Sequence, residues 1–239
     1  MSISDVELEA QFSRGRPVTR VAAESPSVPA RWRTVAVGST PGERVAAALA
    51  LWQTGVAEVM PGFWAVLQES LTDVWVGERA GEPVLVYAVE YVDRAGLDAD
   101  DPGVRVPAVW VGAPPTPELQ PAEPELWSAA PAAVIDFYRG VHGAFTAPDE
   151  RSFGLPAVAG LGTLAAALEY DADEGDWEGA PPADRLLVIT ETYSGVRLCI
   201  SPDLPTATGV AVYRYDEPDE PKPFAELLDH NLMVRFEVE

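Results

Sequence analysis

The residues of this chain best suited to chemistry are carboxylates, concentrated in two runs, 171–178 (DADEGDWE) and 216–220 (DEPDE). Carboxylates can hold calcium, act as a general acid/base pair, or offer a charged face to a partner. Asp171, Asp173, Gly175, Asp176 and Glu178 have part of the spacing of a calcium loop. Glycine, however, stands at its fifth position and aspartate at its sixth, and no glutamate closes the twelfth. A catalytic pair such as Asp171 and Asp176 requires carboxylates fixed in a pocket, and a polar loop containing glycine does not fix them. Two readings remain: a solvated acidic loop, and a surface for recognition. The residues expected to contact a partner are Asp171, Asp173, Glu174, Asp176, Trp177, Glu178, Asp216, Glu217, Asp219 and Glu220. Trp177 has two readings: an apolar anchor inside a charged rim, as in interface hot spots, or a side chain folded back onto its own domain.

Other reactive residues are few. His142 and His230 stand in no metal-ligand spacing such as HExxH, so each reads as a satisfied or solvent-facing histidine. The lone Cys199 excludes an intramolecular disulfide and a cysteine-based zinc cluster, and its apolar neighbours mark it as a small buried side chain. No GxSxG elbow and no phosphate-binding glycine pattern is present. The chain is therefore read as a non-enzyme that needs neither metal nor organic cofactor.

The formal charge of −22 sharpens the partner class. A field of that sign repels nucleic-acid phosphates and anionic lipid surfaces, and it steers a basic protein inward; it also favours solubility. The start, MSISDVELEAQF, lacks the basic-then-apolar pattern of a secretory signal. The most apolar region, 45–67, is broken by Gln53, Gly55, Glu58, Pro61 and Gly62 and cannot supply the roughly 20 apolar residues of a membrane span. A cytoplasmic location is expected. With Lys222 the only lysine, and Ala, Gly and Pro abundant, the composition reads as genomic base bias.

These residues need elements to position them. The clearest strand patterns are 186–190, 196–200 and 210–215, rich in Val, Ile and Tyr with period-two alternation, which predicts three antiparallel strands. Upstream, Thr40-Pro41-Gly42-Glu43 is a capping box opening a helix with Val45, Ala48, Leu49 and Trp52 on one face and Gly55 as its stop. A short helix is expected at 6–12, and strands at 34–37, 63–68, 73–78, 83–93 and 104–111. Residues 79–82 form a hairpin turn, 83–93 a central strand, and Pro107 marks an edge or bulge. Helices are expected at 132–141, around Leu164, Leu168 and Tyr170, and around Phe224, Leu227 and Leu228. Val234, Phe236 and Val238 alternate as a last strand. Phe137, Val141, Leu198, Ile200, Val212, Phe224 and Leu228 are expected to share one core.

From residue 125 onward the order PAAVIDFYRGVHG, FGLPAVAGLGTL, LLVITETYSGVRLCI, GVAVYRYD, PFAELL resembles the SUKH superfamily, which includes the yeast cell-wall synthesis regulator and many bacterial immunity proteins. Phe137-Tyr138, residues 195–200, 209–216 and 224–228 carry the match. His142-Gly143 stands where Asn-Gly is usual, and Ser201 where an Asp often follows the Cys strand. The resemblance implies an α+β fold: a C-terminal SUKH-like antiparallel sheet flanked by helices, here preceded by an N-terminal helix plus antiparallel meander. The resemblance covers only the last half and does not explain residues 1–112; with the composition and patterning upstream, the chain divides into a polar arm (1–30), an α+β N-terminal region (31–112), a Pro/Glu-rich linker (113–124) and a SUKH-like domain (125–239). The resemblance also implies an immunity protein that neutralises a cognate polymorphic toxin by direct binding, and the acidity of the chain is compatible with a basic target. The alternative is a regulatory or scaffold module that recruits a host protein.

Overall fold

The computed structural model describes residues 10–12, 15–52, 59–93, 103–169 and 177–236. After a helical turn at 10–12 come β1 (Thr19–Arg20), a 3-10 turn (Ala30–Trp32), α1 (Arg33–Val37) and α2 (Pro41–Leu49). α3 (Pro61–Ser70) leads into the meander β2 (Leu71–Arg79), β3 (Glu82–Asp93) and β4 (Val104–Gly112). Next are α4 (Pro124–Trp127), α5 (Ala132–Gly140), β5 (Phe145–Thr146) and α6 (Leu164–Leu168). β6 (Leu187–Glu191), β7 (Val196–Ile200), β8 (Thr208–Tyr213) and β9 (Lys222–Pro223) precede α7 (Phe224–Met233). The strands form two antiparallel sheets, ordered β1-β2-β3-β4-β5 and β6-β7-β8-β9, so the fold is α+β.

Much of this follows from local chemistry. Thr40 accepts from the Glu43 amide and Glu43 from the Thr40 amide, with Pro41 in the first turn, completing the capping box of α2. Arg79 pairs with Glu82 across Ala80 and Gly81, whose φ values of 54° and 87° are those of a tight hairpin turn twisted like its strands. Residues 84–89 of β3 are all buried, as both faces of a central strand must be. β5 covers β4 only at Val111 and Gly112, leaving Pro107 on an edge with one partner strand.

Several expectations change. Residues 34–37 belong to helix α1, because the helical period brings Trp32 and Val35, both fully buried, onto one face and leaves Val37 66% exposed. Residues 63–68 lie in α3, where Phe63, Leu67 and Ser70 form a buried stripe. Among the described residues, the N-terminal half thus has the helices α1, α2 and α3 beside its meander, where one helix was expected. Helix α2 ends at Leu49, and Trp52 is buried just beyond it; the expected stop, Gly55, lies outside the described residues. Residues 234–236 are a turn after α7, because Leu228 and Leu232, four apart, carry the helix on to Met233. Residues 6–9, Tyr170 and Val238 also lie outside the described residues.

One apolar cluster takes residues from both sides of the 113–124 connection: Val74, Tyr87 and Trp110 of the first sheet, Leu198 and Ile200 of the second, and Phe63, Phe137, Phe224 and Leu228 of the helices. α3 packs against β3, α7 against β7 and β8, and the two helices against each other. Of the residues expected to share a core, Val212 does not. It faces Val210, Cys199, Leu164 and Leu186 on the other side of the second sheet, since period two puts it opposite Ala211. The connection itself is tied down: the Thr116 amide donates to Tyr138 O (2.9 Å) and the Gly143 amide to Pro114 O (2.9 Å).

Residues 145–164 stitch the sheets together. Phe145 and Leu155 exchange both backbone hydrogen bonds (2.8 and 2.7 Å), the Phe153 amide donates to Glu191 O (2.9 Å), and the Leu164 amide to Leu186 O (2.8 Å). Gly154 lies inside the stitch, where an added Cβ would fall 1.9 Å from Phe145 O. That obstacle is backbone, so it cannot rotate away. Gly154→Ala is expected to lower the unfolding free energy in urea by about 2 kcal/mol or more, the upper range of overpacking costs. Gly160→Ala, with nothing within 4 Å of the new methyl, is the control and leaves the midpoint nearly unchanged.

Candidate functional site

The end of the second sheet formed by the β6–β7 turn and the end of β8 carries exposed aromatic and acidic side chains. The turn is built by Thr192, whose amide donates to Val196 O (2.9 Å) and whose Oγ1 accepts from the Val196 amide (3.1 Å). Gly195, at φ 91°, supplies the left-handed residue, and its carbonyl accepts from the Arg214 amide (3.0 Å). Val196 pairs with Tyr213 in register. Tyr193, Tyr213 and Tyr215 are therefore gathered at one tip, 49%, 44% and 69% exposed. Arg214 at φ 54° ends the strand, and its guanidinium carbon lies 5.1 Å from the centre of the Tyr213 ring. On the sheet side Tyr193 meets Phe153 edge to face at 4.8 Å.

The expected acidic turn is part of this tip. The Asp216 amide donates to Tyr213 O (3.0 Å) and the Asp219 amide to Ala211 O (2.9 Å), folding residues 216–219 back along β8. Asp216, Glu217, Asp219 and Glu220 are all exposed, and so is Glu178. Trp177 is partly buried against Leu164, Leu168, Ala183, Leu186, Cys199, Val210 and Val212, so its ring packs on its own sheet. Asp171, Asp173, Glu174 and Asp176 lie outside the described residues. Sequence reading did not single out the three tyrosines as a group. Their alternation along β8 and the Ser194-Gly195 turn were legible, but Tyr193 joins them only through the hairpin register.

The remaining chemistry-bearing residues are structural. His142 is fully buried beside Gly112, with Nε2 2.8 Å from Tyr87 Oη and Nδ1 2.9 Å from Ala113 O. A carbonyl only accepts, so Nδ1 carries the proton and Nε2 accepts from the tyrosine hydroxyl. Burial pushes the Cys199 thiol up to about 12, which keeps it protonated and inert. The Arg235 guanidinium lies over Trp110 (4.1 Å) and Phe153 (5.9 Å), and burial lowers it to about 10. A cleft of about 460 Å³ beside β6 is lined by Pro156, Leu161, Thr163 and Val188, with Arg151 and Glu191, themselves ion-paired, at its side. Among the described residues, no group of three or more His, Cys, Asp or Glu is placed to hold a metal ion, and no helix is long and apolar enough to cross a membrane. No family model, no curated protein and no solved structure matches the chain.

The buried histidine makes stability depend on pH. Desolvation lowers His142 from 6.5 to about 4, although its bond to Ala113 acts the other way. In the unfolded chain the ring binds a proton below its ordinary value, while in the fold it stays neutral. Its contribution is therefore present above about 6.5 and is lost as pH falls toward about 4, on the order of 3 kcal/mol in all. Urea unfolding of the wild type and His142→Gln across pH 7 to 4 isolates this component from the many carboxylates. The variant, less stable at pH 7, is expected to lose less on acidification. Parallel losses would show that His142 is not the titrating group.

Proposed function

We propose that this chain is a non-catalytic binding protein of the cytoplasm, an immunity protein that neutralises a basic toxin by covering it directly. The observation that carries the reading is the tip of the second sheet: Asp216, Glu217, Asp219 and Glu220 exposed on a backbone held by hydrogen bonds, beside three exposed tyrosines. Fixed carboxylates with aromatic neighbours match the chemistry of a protein interface, in which charge steers approach and aromatic contact slows release. The net charge of −22 extends the steering field beyond this patch. The resemblance of residues 125–239 to SUKH immunity proteins supports the same role. Inhibition of this kind needs a complementary surface and fast association, not a reaction at the surface.

Salt and substitution test the reading together. Association with a basic protein toxin is expected to slow as ionic strength rises, because exposed charges are screened beyond a Debye length of about 8 Å at physiological salt. Asp216→Asn, Glu217→Gln, Asp219→Asn and Glu220→Gln combined are expected to lower the association rate about tenfold and flatten that salt dependence, with dissociation changed less. Trp177→Ala, which loosens packing inside the sheet, is expected to lower stability. An association rate insensitive to both salt and the fourfold substitution would remove this surface from the interface.

A further inference from the structure

The tip has a feature that acidity alone does not explain. Val37, Val92, Val104, Tyr193, Tyr213 and Tyr215 are the large hydrophobic residues exposed among the described residues, and the three aromatic ones lie in the β6–β7 turn and at the neighbouring end of β8. Single exposed apolar side chains are ordinary, whereas several exposed aromatic residues at neighbouring backbone positions mark a contact surface. Tyrosine suits such a surface because its ring offers a π face at low conformational cost and its hydroxyl stays in water.

We infer that this tip selects arginine over lysine, taking arginine-bearing segments of its protein partner onto the faces of Tyr213 and Tyr215 while Asp216, Glu217, Asp219 and Glu220 pair with the guanidinium nitrogens. The inference rests on the reading of the chain as a binder of basic protein and names the chemistry of that partner. Arg214 displays the geometry within the molecule, its guanidinium 5.1 Å over the Tyr213 ring. Arg20 over Trp75 (4.9 Å) and Arg235 over Trp110 (4.1 Å) repeat it elsewhere in the fold. A planar, weakly hydrated guanidinium can stack on a ring and donate to a carboxylate at once, whereas an ammonium is a compact, strongly hydrated point charge. A surface of carboxylates alone would attract both cations equally. Rings beside carboxylates separate them.

The backbone that presents these groups is already set, and a partner guanidinium takes the Tyr213 face opposite Arg214 or displaces Arg214 from it. The turn is fixed by the Thr192–Val196 and Gly195–Arg214 hydrogen bonds, and the acidic segment is held to β8 by the Asp219 amide. The charged wall of the cleft beside β6 is an ion pair already closed on itself, so the cleft offers no competing site for a cation.

Fluorescence anisotropy of the full chain with oligo-arginine and oligo-lysine peptides of equal length tests the inference. At physiological salt the arginine peptide is expected to bind about tenfold more tightly. Tyr213→Ala with Tyr215→Ala is expected to reduce that ratio to near one while leaving the lysine peptide's affinity unchanged. Both positions are exposed at a strand end, and an unchanged thermal unfolding midpoint confirms that the fold survives. The fourfold carboxylate variant is expected to weaken both peptides. Equal affinity for the two peptides in the wild type overturns the arginine inference but leaves the wider reading as a binder of basic protein intact. An arginine preference that survives the double tyrosine substitution also overturns it. Failure to bind either peptide counts against both. A concentration-dependent dimer in sedimentation, abolished by the double substitution, assigns the tip to a second copy of the chain instead.

Discussion

Backbone hydrogen bonds made by residues 145–164 hold this protein together as one body. Each sheet has apolar residues on both faces, and every such face needs a cover. Sharing one cluster between the sheets solves the problem, but only if their separation is set. The stitch sets it, pairing Phe145 with Leu155 at the first sheet's edge and Phe153 with Glu191 at the second's. The Trp110 indole adds a side-chain bond to Phe153 O at 2.9 Å. Gly154 is the residue that lets the two backbones approach this closely.

A second long-range contact acts on the helices. No side chain of its own neighbourhood caps α3; instead Asp229 of α7 accepts from the Gly62 and Phe63 amides at 3.0 and 2.8 Å. A carboxylate there satisfies open N–H groups and opposes the positive end of the helix. The last helix thus finishes a helix laid down far earlier in the chain. Together with the shared cluster, this means the connection at 113–124 does not separate two cores.

The tip of exposed tyrosines and carboxylates is a by-product of the same architecture. Because β8 pairs with β7 on one side and only briefly with β9 on the other, its far end can be capped by an acidic turn without burying charge. The β6–β7 hairpin brings Tyr193 to the same place. Rigid scaffold below and exposed aromatic and charged groups above is the division of labour expected of a recognition loop.

Local chemistry alone determined a good part of this protein. The capping box at Thr40, the turn at Ala80-Gly81, the central strand β3, the antiparallel run β6–β7–β8, the helix α5 and the burial of Cys199 were all legible, because each depends on residues within a turn or two. The acidic turn at 216–220 was legible too, as a run of charge too dense to bury. Tertiary structure decided the rest. Residues 34–37 and 63–68 are short apolar runs whose strand and helix patterns coincide, and burial of Trp32, Val35, Phe63 and Leu67 against the sheet settled them as helices. Which face of the second sheet Val212 would join depended on what packed above and below it. The tyrosine tip required a register between strands, and a register is set by pairing partners distant in the chain, which no local window contains.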